Sequence, residues 1–191
     1  MTTIPTLVGR GVRLEPVAAE HAPALAPLVD AALWAGMTTP LPDTPEAMEQ
    51  HVAGLAARPG VVAFAVVDEL LEPGAVVGVT SFYDIDLRIG RVEIGHTFYG
   101  RRWWGTHVNP AAKLALLTHA FDVWGVERVA LRADARNVRS LAAIERLGAT
   151  REGVLRSHRL APDGSRGDTV YFSVLRDEWP ATRASLEARL A

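Results

Sequence analysis

The chain contains no cysteine. That excludes disulfides, thiolate-held metals and a cysteine nucleophile. Its apolar runs fall far short of a membrane span. The formal net charge is −2, with no basic excess to suit a nucleic acid and no block of like charge. Met1-Thr2-Thr3-Ile4-Pro5 lacks a charged stretch followed by an apolar one, so no signal peptide is expected and the expected location is cytoplasmic. Neither G-x-x-x-x-G-K-[ST] nor G-x-G-x-x-G occurs, which argues against a P-loop or dinucleotide enzyme. The six histidines form no H-x-x-x-H pair, so a metal hydrolase is disfavoured and no metal is expected. There are no repeats, low-complexity segments or linkers.

What remains is material for a core. The chain has 191 residues, 49% of them hydrophobic, enough for a single domain spanning 1–191. Periodicity and breakers give strands at 12–17, 61–67, 75–83 and 88–99, the first two hairpin partners meeting at Pro73-Gly74. Later strands are expected at 126–133, 150–160 and 169–175, the last pair joined through Pro162-Asp163-Gly164. Helices are expected at 20–34, with Pro23 tolerated in its first turn, and at 45–58 behind Thr44 as N-cap. Three more follow at 110–122, at 138–147 closed by Gly148, and at 180–190. The order is β-α-α-β-β-β-α-β-α-β-β-α. Consecutive hairpins imply antiparallel pairing, and the β-α-β unit at 92–133 implies one parallel pair with a right-handed crossover. The expected fold is α/β (α+β): a mixed, mostly antiparallel sheet with a central parallel pair, flanked by helices.

Two segments carry chemistry. In Trp103-Trp104-Gly105-Thr106-His107-Val108-Asn109-Pro110-Ala111-Ala112-Lys113, a strand ends, a loop turns and a helix starts. Asn109 reads as N-cap and Pro110 as the first helical residue. Free backbone N–H groups and the helix dipole make such a place an anion site. The second segment is Asn137-Val138-Arg139-Ser140 leading to Leu147-Gly148-Ala149 and Glu152-Gly153, a capped helix with a glycine stop.

With Glu93-Ile94-Gly95-His96 placed before the loop, the order and separation of these segments resemble the Gcn5-related N-acetyltransferase family, and within it the branch that acetylates ribosomal-protein N-termini. The resemblance runs from Gly11 to about Trp179. It implies acetyl-CoA as cosubstrate, and an amine acceptor that is a protein N-terminus or a small amine. It also implies direct attack on the thioester, and the homodimer common in the family. The family's pyrophosphate loop, Arg/Gln-x-x-Gly-x-Gly/Ala, falls on Trp104, Gly105, Thr106, His107, Val108 and Asn109. Trp104, His107 and Asn109 depart from it, and His107 stands where glycine permits φ > 0.

The resemblance further implies a β-bulge near Thr97, Phe98 and Tyr99, whose backbone N–H groups hold pantetheine and the thioester carbonyl. Glu93 resembles the strand carboxylate that serves as base in relatives; an ion pair with Arg91 or Arg128 is the competing reading. His96 has the intrinsic pKa of a base. Three residues apart on a regular strand, these two face opposite ways, unless a bulge intervenes.

Ile144 occupies the position of the family's tyrosine acid. The branch uses a serine, here Ser140, beside the leaving thiolate, while Asn137 caps the helix and bonds pantetheine. Arg101 and Arg102 are either solvated or neutralise CoA phosphates. Lys113 is expected to be solvated, within possible reach of the 3′-phosphate. Arg166 and Asp168 read as a turn-stabilising pair, and His158 as a residue able to touch substrate. Trp34 and Met37 fall where relatives cover the acceptor. Asp84 and Asp86 are turn carboxylates able to attract a cationic amine. The alternative function is a CoA-binding sensor without catalysis.

Overall fold

The computed structural model describes residues 5–161 and 163–191. Its centre is one eight-stranded sheet in the order β1-β2-β3-β4-β5-β6-β8-β7. The strands are β1 (Leu7–Gly9), β2 (Val12–Pro16), β3 (Val62–Asp68), β4 (Ala75–Asp86), β5 (Arg91–Tyr99), β6 (Arg128–Asp134), β7 (Thr150–Leu160) and β8 (Arg166–Leu175). Only β5 and β6 pair in parallel; every other neighbouring pair is antiparallel. The mixed sheet with one parallel pair is the fold expected from the order of elements. β1 is additional to the expected strands, because three residues carry no legible alternation.

The helices are α1 (Ala22–Leu25), α2 (Ala31–Trp34), α3 (Pro45–Ala56), α4 (Val108–Thr118), α5 (Val138–Glu145) and α6 (Trp179–Arg189). The continuous helix expected at 20–34 is instead two short ones joined through a 3-10 turn, Ala26–Leu28. Pro27 explains the break: its ring meets the carbonyl four residues back, at Pro23, and it has no N–H to give. Val29 is extended, and Asp30 starts α2 by accepting from Leu33 N at 2.7 Å. Thr44 caps α3 as expected, accepting from Ala47 N at 3.1 Å. α4 runs on through a π-helical turn, His119–Val123, and ends before Gly125 at φ +68°. In the last hairpin Pro162 lies outside the described residues, as do residues 1–4 of the N-terminal segment. Asp163 and Gly164 turn the chain there, with Gly164 at φ +82°.

Alternation along the strands builds two cores on the sheet's two faces. Phe64 and Val66 of β3, with Val92 and Ile94 of β5, join Leu116, Leu117 and Leu186 on the α4–α6 face. Ala63 and Ala65, on the opposite side of β3, join Met48, Val52, Leu55 and Trp34 on the α3 face. Phe98 has the parity of Val92 and Ile94, yet it packs with the α3 face. A reversal of sidedness has therefore occurred inside β5.

Candidate active site

The reversal is a β-bulge. Val79 pairs with Phe98 and Ser81 with Gly95, so His96 and Thr97 together oppose Thr80. His96 takes φ +46° to accommodate the extra residue. The parallel ladder between β5 and β6 stops at Ile94–Leu131, although β5 continues to Tyr99. Beyond that point the edge of β5 that faced β6 is unpaired. A cleft of about 1310 Å³ opens there, lined by residues 94–99 of β5 and 131–134 of β6.

The bulge sends its two side chains to opposite faces. Thr97 projects toward α4, where its hydroxyl lies 2.8 Å from that of Thr80 and accepts from Lys113 Nζ at 3.2 Å. Lys113 is the chain's only lysine. It is 5% exposed, not solvated as expected, because its place on α4 faces the sheet. Burial lowers its pKa to about 7.

His96 projects toward α3. Its Nδ1 lies 2.7 Å from Ser81 Oγ, and its ring packs on Tyr83 at 4.7 Å between centroids. Burial, followed by the charges of Arg58, Arg132 and His51, pushes its pKa down to about 4. The ring is thus neutral at pH 7. With the Ser81 proton donated to the Gly95 carbonyl (3.0 Å), His96 Nδ1–H donates to Ser81 and Nε2 keeps its lone pair.

The bulge also puts Glu93 on the face of His96, but Tyr83 stands between them. Glu93 is 8% exposed and does not line the cleft. Its ion pair is with Arg132 at 3.3 Å rather than with Arg91 or Arg128. Arg132 comes from the next strand, so no sequence spacing relates the two. The Tyr83 hydroxyl is held above its usual pKa by burial and then by the charge of Glu93.

At the loop, the N-cap of α4 is His107, and Asn109 lies inside the first turn, correcting the expected start by two residues. The Thr106 hydroxyl supplies the cap-like contact, accepting from Val108 N at 3.4 Å and donating to the Trp103 carbonyl at 2.7 Å. Gly105 takes the positive φ, +75°, while His107 sits at an ordinary φ of −63°. The loop therefore needs only one glycine, and His107 is unstrained. Its ring points away from the cleft, with Nε2 3.1 Å from both the Gly11 carbonyl and Asp68 Oδ1. Among the described residues, the backbone N–H groups of Gly105, His107 and Asn109 have no recorded partner. No acidic side chain occupies the first turn of α4.

Asp68, fully buried, braces this loop from below. It accepts from the N–H groups of Leu70, Leu71 and Glu72 and from the Trp103 indole. Burial opposes its ionisation, but those donors hold its carboxyl below the usual range.

Trp104 Nε1 donates to the Tyr99 carbonyl at 2.8 Å, and the indole lies between the guanidinium groups of Arg101 (4.8 Å) and Arg139 (3.7 Å). Arg101 is paired with Asp30 and Arg102 with Glu72, and neither lines the cleft. Arg139 does line it. In the sequence it is hidden inside the capping motif, between two residues with evident roles.

Asn137 caps α5, accepting from Ser140 N at 3.0 Å. Ser140 and Ile144 face the cleft from α5, with Thr97, Phe98, Tyr99, Trp104, Gly105, Thr106, Asn109 and Asn137 on its other walls. The side chains of His107 and Val108 lie outside it. Gly36, between α2 and α3, packs so closely that a Cβ would come within 2.7 Å of Asn137 Nδ2. Met37 and His158 line the cleft, and Trp34 packs beneath it against Phe98 and His51. Arg166 and Asp168 do not pair with each other; both hydrogen-bond the backbone of Ser157, which sits at φ +51°. Asp84 pairs with Arg91, and Asp86 caps the turn at Arg88 and Ile89; both lie away from the cleft.

The strand splays from its parallel neighbour at a bulge and opens onto a helix N-terminus rich in free N–H groups, an arrangement able to receive an extended ligand with an anionic end. Residues 12–150 match the acetyltransferase (GNAT) domain model, and the chain belongs to that family. It is 34% identical over 110 residues to the Bacillus subtilis (strain 168) protein named "Putative ribosomal N-acetyltransferase YdaF", a match covering 58% of this chain. The chain spans 59% of the length of that relative. It is 41% identical to the crystal structure of a "putative acetyltransferase" from T. thermophilus, with a TM-score of 0.91 and 100% of both chains covered. A GCN5-related N-acetyltransferase from Brucella melitensis also superposes with a TM-score of 0.91, at 30% identity over 99% of this chain and 86% of that one. No helix among the described residues is long and apolar enough to cross a membrane.

Proposed function

We propose that the chain transfers the acetyl group of acetyl-CoA to a primary amine, a protein N-terminus or a small amine, by direct attack on the thioester. The observation that carries this is the bulge at His96 and Thr97, which ends the β5–β6 ladder and leaves a backbone edge beside a helix N-terminus. The unpaired edge suits the amide groups of pantetheine, which lies there like a partial strand. The N–H groups of Gly105, His107 and Asn109 suit the pyrophosphate, and Arg139, which lines the cleft beside Trp104, lends charge. Asn137 bonds pantetheine from the far wall.

Four requirements then fall on this chain's residues. The attacking nitrogen must be neutral. An α-amine of pKa about 7.7–8.0 is partly so at neutral pH, unlike a lysine side chain near 10.4. His96 Nε2, uncharged and on the acceptor face, takes the proton released on attack. Glu93 acts only at a remove, through Tyr83 and Arg132. Backbone N–H groups near Thr97, Phe98 and Tyr99 receive the thioester oxygen as it gains charge. The Ser140 hydroxyl, which has no recorded partner among the described residues, hydrogen-bonds the departing thiolate.

Ile144 supplies no acid, which is the observation behind the competing reading of a non-catalytic CoA sensor. Release of free thiol from acetyl-CoA across an amine panel decides between them. Amine-dependent thiol release supports transfer. Tight CoA binding without release for any amine supports the sensor.

A further inference from the structure

The acceptor face of the cleft is markedly short of negative charge. Among the described residues lining the whole cleft there are several arginines, and the one carboxylate is Asp134. Asp134 is 3% exposed and already committed to Arg136 (2.8 Å) and Arg159 (3.3 Å). Glu93 is buried behind Tyr83 and committed to Arg132. Asp84 and Asp86 lie elsewhere. Among the described residues lining the cleft, no uncommitted carboxylate is left to receive a cationic companion to the acceptor amine.

Cations from separate elements line the same cleft as His96. Arg58 arrives from just past the end of α3, is exposed, and has no carboxylate partner among the described residues. Arg132 arrives from β6, stacked at 5.3 Å over Tyr83, the ring on which His96 also packs. Its Nε faces Glu93 and its Nη1 donates to the Tyr171 hydroxyl, leaving Nη2 without a recorded partner. Arg159, from β7, donates to the Gly36 carbonyl at 2.7 Å and ties down the segment that roofs this end. Arg58 and Arg132 line the cleft with His96, Arg132 and His96 share the Tyr83 ring, and after burial the charges of the two arginines lower the basicity of His96. CoA phosphates do not account for them. Those belong with the loop before α4, where Arg139 stands over the Trp104 ring.

We propose that the acceptor is a primary amine bearing an anionic group, a carboxylate or a phosphate, which Arg58 and Arg132 hold beside His96. This rests on the transferase reading above and names the substrate class that the same site selects. A bound anion would also offset the two arginines and make His96 a stronger base when substrate is present, so that recognition and proton removal are coupled.

Matched amines of similar basicity test the idea and separate two sources of the anion. One pair is Ser-Asp-Ala-Ala-amide against Ser-Lys-Ala-Ala-amide, for an acidic residue near a peptide N-terminus. The other is aspartic acid α-amide against asparagine α-amide, for a small acidic amine. Equilibrium binding to the CoA-loaded protein is measured by calorimetry, and turnover by thiol release. The expected result is at least a tenfold preference for the acidic member of one pair or both, weakened in 0.5 M NaCl and abolished or inverted in Arg58→Glu. Equal binding in both pairs, or preference for the lysine peptide, overturns the inference, whether or not turnover occurs. An acidic preference in binding with no thiol release from any amine leaves the anion site standing and removes the transferase reading instead.

Discussion

Replacing Lys113 by methionine should change how stability depends on pH more than it changes stability at any single pH. Lys113 is the only lysine, 5% exposed, and its ammonium donates to Thr80 at 3.3 Å and Thr97 at 3.2 Å. Burial lowers its pKa from 10.5 to about 7. A base whose folded pKa is depressed binds fewer protons folded than unfolded between the two values. Stability therefore rises with pH from about 7 to 10.5, with a limiting slope of about 1.4 kcal/mol per pH unit. Between pH 7 and 9 the wild-type chain should gain about 2 kcal/mol that Lys113→Met does not, or ~4–8 °C in Tm for a chain of this size. Every other titrating group is common to both proteins and cancels in the difference. Methionine fills the space, and the threonine hydroxyls retain each other and the Gly95 carbonyl. Urea unfolding of both proteins at pH 7, 8 and 9 measures the gap. If the gap between wild type and variant is constant across that range, the lysine is not desolvated and the placement of α4 against β4 and β5 is wrong.

Other outcomes follow from the same geometry. Ser140→Ala should lower kcat by roughly 10–100-fold while leaving unfolding midpoints almost unchanged, because the Asn137 cap uses the backbone of Ser140 and not its hydroxyl; full kcat would remove the thiolate role. Asp68→Ala strands three N–H groups, an indole and His107 in a buried place, and should cost about 3 kcal/mol or more. It should also weaken CoA binding, read by calorimetry, and unaltered affinity would show that the brace does not govern the loop. His96, with a pKa near 4, should stay neutral across the working range. The acid limb of kcat/KM then reports the substrate amine, near 8 for an α-amine. A limb near 6.5 that disappears in His96→Asn would contradict the depressed basicity.

Where an element depends on local chemistry, its position is legible in the sequence. Thr44 and Asn137 mark helix starts through contacts within a few residues, and both do so in the fold, whereas α5 ends at Glu145, two residues short of the expected Leu147, and Gly148 at φ +88° closes the turn that follows. The parallel pair also follows from sequence, because a strand, a helix and a strand admit one crossover hand. The expected start of α4 is displaced because Asn109-Pro110 is a strong local signal. Tertiary contacts outweigh it: His107 is anchored to Gly11 and Asp68, 96 and 39 positions away in the chain, and that anchoring begins the helix earlier. The break at Pro27 has a local cause, which the apolar spacing around it masks.

The sequence by itself determined the family, the order of elements and the capped starts of α3 and α5, since each rests on residues close along the chain. The tertiary structure alone decided which side chains meet. One extra residue in β5 reverses every side chain after it, sending Thr97 to Lys113 and His96 to Ser81. It also places Glu93 behind Tyr83, whose own strand sets that barrier. Arg58, Arg132 and Arg159 come from a helix end and two strands that are distant in the chain, and only packing gathers them on one face. A bulge has no compositional mark in this sequence, because a single non-glycine residue at positive φ is stabilised by its surroundings and not by its own propensity.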